Sequence, residues 1–215
     1  MTRGYRNRAD AGGVLARRLT GYAGRHDVVV LGLVRGGVPV AAAVAQALGV
    51  PLDVLVVRKL GVPWAPEVAF GALGPDGVRV LNPDIAYRLE PAQIAEVTDA
   101  EAVELRRREE RYRGGRGPVE LSGRTAIVVD DGLATGATAR AAVAVARRMG
   151  AERVVVAVPV GAPDAYEAVA RTADEVVCPL TPPDFGAVSR YYGDFHQVTD
   201  AEVTELLTSA PDAAG

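Results

Sequence analysis

A rhythm of short Val-rich runs constrains this chain most: VVVLGLV from Val28, LDVLVV from Leu52, TAIVVD from Thr125, RVVVAV from Arg153 and EVV from Glu175. Runs of roughly four to eight residues that are apolar on both sides suit strands buried on both faces, which is the situation in a parallel sheet. Ala-rich amphipathic stretches lie between them. Residues 38–48 (VPVAAAVAQAL) stop at Gly49, with Pro51 beyond, and residues 137–149 (ATARAAVAVARRM) stop at Gly150 after Arg147 and Arg148. Glycine just past a helix and cations in its last turn are C-terminal signals. Strand, helix, strand at a spacing of ~25 residues predicts βαβ units, and therefore an α/β fold: an open, mainly parallel sheet with helices on both faces.

Three segments break the rhythm. Residues 6–22 carry Leu15 and Leu19 one helical turn apart and predict an N-terminal helix packed on the sheet. Residues 91–113 open with Pro91 and set Ile94, Val97, Val103 and Leu105 among many charges, predicting a long, largely exposed helix. Residues 59–80 hold Gly61, Pro63, Pro66, Gly71, Gly74, Pro75 and Gly77, a density that favours a loop or irregular hairpin. The last residues, SAPDAAG, are expected to fray. No repeat or long linker divides the chain, so the expectation is one domain, 1–215, with a core over about 24–180.

Composition removes several function classes. The 215 residues contain one cysteine, Cys178, and two distant histidines, His26 and His196. Neither an internal disulfide framework nor a Cys- or His-spaced zinc site can be built from these. A net charge of −3 argues against bulk affinity for nucleic acid or acidic membranes. The N-terminus lacks a signal-peptide core, and no apolar run reaches ~18 residues, so the expected location is cytoplasmic, without a membrane.

In an open parallel sheet, ligands bind at the C-terminal ends of the strands. The segment IVVDDGLATGAT there joins a buried strand, two carboxylates (Asp130 and Asp131), a small-residue loop and a helix start. Loop amides and a helix N-terminus favour phosphate, and Thr135 and Thr138 add hydroxyl donors. The adjacent carboxylates would repel phosphate, so they suit sugar hydroxyls or Mg²⁺. A phosphorylated sugar satisfies both halves. The plainer alternative is a structural turn in which Asp131 caps the helix and Asp130 is solvated. The other common phosphate and nucleophile motifs are missing: no Walker loop, no dinucleotide fingerprint after a strand, no nucleophile elbow.

The motif resembles the phosphoribosyl pyrophosphate (PRPP) motif of type I phosphoribosyltransferases, and residues from about 6 to 205 resemble a bacterial subgroup of that family without an assigned acceptor. The resemblance implies that Asp130 and Asp131 bind the ribose 2- and 3-hydroxyls, with any metal held indirectly through ribose or water. It gives the 5-phosphate to Ala134, Thr135, Gly136, Ala137 and Thr138. Val34-Arg35-Gly36-Gly37, after the first strand, matches the family's pyrophosphate loop, where a cis peptide often occurs. By itself this is an ordinary βα turn with close-approaching glycines and one guanidinium. Arg58 and Lys59, the latter the chain's only lysine, follow the second strand. They read either as a surface cap or, by the resemblance, as catalytic cations on the pyrophosphate at the sheet edge of Arg35, next to a mobile loop that contains Glu67.

Two further patches stand out. RRREERYRGGR, 106–116, reads as a solvated helix end, with rimming of the polyphosphate site and an RNA contact through Tyr112, Arg113 and Arg116 as alternatives. Residues 181–198 gather Phe185, Tyr191, Tyr192, Phe195 and His196 in a chain with 5% aromatics. They suit either stacking on a planar acceptor or a small hydrophobic lid; His196 is a candidate base, although a lone histidine is more often structural, and Cys178 reads as packing. With the N-terminal helix, about 181–208 forms the hood that the resemblance implies. The full expectation is a Mg²⁺-PRPP-dependent transferase that moves a phosphoribosyl group to a nitrogenous base-like acceptor, with a homodimer implied by the resemblance alone. A PRPP- or nucleotide-sensing regulator and a ribose-phosphate hydrolase or phosphorylase remain as alternatives.

Overall fold

The computed structural model describes residues 4–114, 117 and 119–210. Each Val-rich run is a strand: β1 (Val28–Leu33), β2 (Leu52–Leu55), β6 (Thr125–Val129), β7 (Arg153–Ala157) and β8 (Glu175–Val177). They form one parallel sheet in the order β2-β1-β6-β7-β8, with Val30 opposite Leu52, Val28 opposite Thr125, Thr125 opposite Arg153 and Val155 opposite Glu175. The expected open sheet is therefore present. Successive side chains take opposite faces. Val28 and Val30 join a core with α2 (Gly37–Leu48), α4 (Pro91–Arg113) and α7 (Asp200–Ser209), while Val29, Leu31 and Leu33 join one with α5 (Ala137–Arg148) and α6 (Pro163–Ala170).

The N-terminal helix is shorter than the sequence suggests. α1 spans Arg8–Ala16, capped by Asn7, and the chain then turns through a 3₁₀ segment at Thr20–Tyr22. Leu15 and Leu19 are both buried, and α1 packs on α2. α4 has the expected extent; Val103 faces solvent, whereas Leu105, Tyr112 and Arg113 are buried.

The Gly/Pro-rich segment is more regular than a loop. It forms a separate antiparallel sheet of β3 (Arg58–Val62), β4 (Ala65–Leu73) and β5 (Arg79–Leu81), followed by a short helix α3 (Pro83–Ala86). The hairpin irregularity is real: its register shifts between Leu60 and Gly61 and again before Val62. Apolar Phe70, Ala72 and Leu73 anchor β4 in the interior and offset the turn-forming composition. Arg58 and Lys59 accordingly open β3 instead of ending β2.

Among the described residues no helix is long and apolar enough to cross a membrane.

Candidate functional site

In the parallel sheet the chain leaves β1 toward β2 on one side, and β6 lies on the other side. That reversal creates a crevice beyond the C-terminal ends of β1 and β6. Two turns meet there: 34–37 after β1 and 130–136 after β6. They touch closely because neither Gly36 nor Gly37 has a side chain. A Cβ on Gly37 would lie 2.5 Å from the Val129 carbonyl and 2.8 Å from Asp130 Cα, and one on Gly36 would run into the Asp131 carboxyl. The Val34–Arg35 peptide is cis, as the resemblance implied.

The two carboxyls have different surroundings. Asp130 Oδ1 accepts from the Asp131 amide at 2.9 Å, and its pKa is pushed up, first by burial and then by the charge of Asp131. Asp131 does not cap the helix. Its Oδ2 receives Arg8 Nε at 3.0 Å and Nη2 at 2.9 Å, its carbonyl receives the Tyr192 hydroxyl at 2.7 Å, and burial outweighs Arg8 in shifting its pKa upward.

Beyond the carboxyls, α5 starts at Gly136, whose φ of 72° is a left-handed conformation that suits glycine, and no side chain caps the helix. Ala134, Thr135, Ala137 and Thr138 are exposed around this start, and the Thr135 hydroxyl accepts from the Ala137 amide at 3.3 Å. The arrangement is an uncapped, solvent-facing helix N-terminus directly after two carboxyls, which can hold an anion beside hydroxyl-binding groups.

A hollow of 390 Å³ opens over Asp131 and Gly36; Arg8, Arg35, Phe195 and His196 line its remaining sides. Arg8 is the functional neighbour that the sequence did not reveal. It is nearly buried, stacks 4.0 Å above the Phe195 ring and donates to the His196 carbonyl at 2.9 Å. Its partner Asp131 is 123 positions away, so no local pattern announces it. The aromatic stretch mostly packs upon itself: Tyr192 packs against Tyr5 at 5.6 Å and Phe195 at 5.0 Å between ring centres, and Phe185 and Tyr192 are buried. Both His196 ring nitrogens face carboxylates, Asp194 at 3.2 Å and Glu202 at 2.9 Å, which raise its pKa. Cys178 hydrogen-bonds the Leu180 carbonyl, and burial pushes its thiol up to about 12.

Arg58 and Lys59 stand apart from this hollow. Arg58 Nε pairs with Glu101 at 2.6 Å, and Lys59 Nζ donates to the Glu67 carbonyl at 3.3 Å. Both line a 320 Å³ hollow between the antiparallel sheet and α4 that shares no lining residue with the one over Asp131.

The end of α4 is not simply solvated. Arg113 reaches the Val54 carbonyl at 2.8 Å, Glu109 at 2.9 Å and Asp53 at 3.4 Å, and Tyr112 donates to Asp200 at 2.7 Å. Burial takes Tyr112 and Arg113 out of the surface on which the RNA-contact alternative relied; Gly115 and Arg116 lie outside the described residues.

A family model of the phosphoribosyl transferase domain matches residues 5–196. The chain belongs to that family. Two relatives from Mycobacterium tuberculosis strains, each named "Putative phosphoribosyl transferase", are 54% identical over 208 residues, 96% of this chain. The chain spans about half of their length, 47%. A crystal structure of TT1426 from Thermus thermophilus superposes with a TM-score of 0.88 at 45% identity, covering 95% of this chain and 97% of that one.

For a phosphoribosyl transferase domain, the donor set bears on the metal. Among the described residues no three His, Cys, Asp or Glu side chains gather into a cage. Two adjacent carboxyls fit Mg²⁺ that arrives with most of its ligands supplied by phosphate and water.

Proposed function

We propose that this chain is a PRPP-dependent phosphoribosyltransferase that transfers the 5-phosphoribosyl group to a nitrogenous, base-like acceptor and releases pyrophosphate. One observation carries the reading: the strand order brings the 34–37 turn and the Asp130–Asp131 turn into one crevice, with Gly36 and Gly37 against the two carboxyls. Asp130 and Asp131 hold the ribose hydroxyls, and the Ala134–Thr138 segment with the start of α5 holds the 5-phosphate. Arg35 and the amides of Gly36 and Gly37 take the pyrophosphate, and Phe195 on Arg8 walls the acceptor side. Mg²⁺ bound with PRPP, reached by Asp130 and Asp131 through ribose or water, supplies charge neutralisation to the leaving diphosphate.

In the reaction the bond from ribose C1 to the pyrophosphate oxygen breaks, and its electron pair leaves with pyrophosphate. The acceptor nitrogen donates its lone pair to C1 and then loses a proton. Negative charge grows on the pyrophosphate, where Arg35 and, on approach of the antiparallel sheet, Arg58 and Lys59 stabilise it. Carboxylate charge on Asp131 favours the positive charge that develops on the ribose ring as the bond breaks. Residues 1–215 are one domain in this reading, with the 181–208 stretch and α1 as its hood, working in the cytoplasm.

In the alternative reading, a PRPP- or nucleotide-sensing regulator, the chain binds without turnover, and the Arg8–Asp131 pair must open for ribose in either case. One experiment separates the two. Calorimetric titration of Mg²⁺-PRPP should show micromolar binding to the wild type and none to a folded Asp130→Asn/Asp131→Asn variant. Pyrophosphate release on adding nucleobases then supports the transferase, and binding without release under any acceptor supports the regulator. No binding at millimolar PRPP overturns the transferase reading in favour of a nucleotide-sensing regulator or a ribose-phosphate hydrolase.

A further inference from the structure

On the other side of Arg35, away from Asp131, lies a second hollow of 470 Å³ whose polar wall is almost entirely arginine: Arg35 from the first turn and Arg107, Arg108 and Arg111 from α4. Helical spacing accounts for the cluster, since 107, 108 and 111 fall on adjoining rows of one helix surface. Two carboxylates answer these four cations. Glu104 takes Arg107 at 2.8 Å and Arg108 at 2.7 Å. Asp200 takes Arg111 closely, Arg35 at 3.7 Å and the Tyr112 hydroxyl at 2.7 Å. The hollow thus holds four guanidinium groups against two carboxylates, an excess of two positive charges.

Asp200 is not tied to that place by helix capping. Thr199 and Glu202 already form a reciprocal capping box at the start of α7, so the Asp200 carboxylate is not needed as a cap and is an oxyanion laid across guanidinium forks, with the Tyr112 hydroxyl as its third partner. A phosphate monoester fits the vacated position better than a carboxylate does. It carries nearly two negative charges at neutral pH, matching the excess, and has three acceptor oxygens for bidentate forks.

In the reading above PRPP lies where the backbone of Gly36 and Gly37 faces the carboxyls of the β6 turn, whereas this hollow takes only Val34 and Arg35 from that turn and is otherwise walled by α4 and α7. Arg35 is the one lining residue that the two hollows share. We infer that the arginine hollow is a binding site for the phosphate monoester group of a ligand other than PRPP, held by Arg35, Arg107, Arg108 and Arg111 in exchange for Asp200. The site goes beyond the transferase reading, on whose placement of PRPP it rests only for the identity of its ligand.

The test is titration of inorganic phosphate into the full chain, followed calorimetrically, with folding of each variant checked by circular dichroism. Arg107→Gln/Arg111→Gln should weaken one class of phosphate site by about tenfold or more, in keeping with the loss of charge-assisted forks. An equal charge change on exposed arginines outside the hollow, Arg106→Gln/Arg148→Gln, should leave it within about twofold. Asp200→Asn removes the competing carboxylate and should tighten phosphate binding by about threefold or more, a change opposite in sign to that of damage. Mg²⁺-PRPP affinity should be unchanged in Arg107→Gln/Arg111→Gln. Wild-type phosphate affinity in that variant, an equal loss in the control, or a parallel loss of PRPP affinity would each overturn the inference. Failure of PRPP to bind the wild type at all would sink the transferase reading while leaving the phosphate comparison intact.

Discussion

Asp130 and Asp131 are neighbours in sequence whose pKa values are both raised by burial, and Asp131 also hydrogen-bonds Arg8. Burial and the charge of Asp131 raise the Asp130 pKa above its unfolded value of about 3.9, so the folded chain retains a proton that the unfolded chain gives up. Between those two pKa values the native state binds more protons, and stability falls as pH rises. Asp130→Asn removes that slope and should raise the unfolding midpoint at pH 7, by roughly 2–4 °C for each kcal/mol recovered. Thermal melts from pH 4 to 8 check it; a midpoint at or below wild type at pH 7 would refute this account. At Asp131 burial likewise outweighs the pairing with Arg8, so Asp131→Asn should gain less than Asp130→Asn, since Arg8, only 8% exposed, loses its counter-charge. Urea titration of the two variants at pH 7 checks that order. A site that stores its binding group at the expense of stability is consistent with a carboxyl waiting for a sugar hydroxyl.

At the scale of elements, the contact between the two turns decides whether the crevice exists. Gly37→Ala would place a methyl 2.5 Å from the Val129 carbonyl, so the start of α2 must move away from β6. We expect about 1–3 kcal/mol of destabilisation from overpacking, and at temperatures where the variant remains folded, a loss of PRPP affinity of about tenfold or more. Wild-type affinity would show that turn proximity is unimportant for PRPP. That turn and the β6–α5 motif were legible in sequence because each is a short contiguous string whose strand and helix carry their own periodic signals. The antiparallel sheet was only half legible. The glycines and prolines of 59–80 signal turns, and β4 shows its buried side only once β3, β5 and α4 are beside it. Arg8 on Asp131, Asp200 on Arg35 and Glu101 on Arg58 were not legible, since long-range charge pairs leave no spacing to read. The α4 arginines were visible as a charge run, but the wall they share with Arg35 depends on where α7 lies.

For the whole molecule, the hollow over Asp131 and the one beside the antiparallel sheet are separate, with no lining residue in common. Tyr5, Arg8 and Tyr192 bind the N-terminal stretch, the 185–198 segment and the Asp131 turn into one unit, so that side of the crevice is already closed. Arg58 and Lys59 line a different hollow, and their proposed action on pyrophosphate requires β3 and β4 to move toward Asp131. The restraint on that motion is weak: Arg58 and Glu101 are each about a quarter exposed, with 27% and 26% of their side-chain surface open, and ion pairs at such positions contribute roughly 0–1 kcal/mol. Glu101→Gln should therefore release Arg58 and tighten PRPP by up to about fivefold, the equivalent of ~1 kcal/mol. Lys59→Ala should weaken PRPP and pyrophosphate while leaving ribose 5-phosphate nearly unchanged, because only the first two ligands present a diphosphate to the moving sheet. Calorimetry with the three ligands checks both variants. Equal losses for all three in Lys59→Ala would remove Lys59 from the pyrophosphate site, and unchanged PRPP affinity in Glu101→Gln would mean that Arg58 stays with α4 throughout.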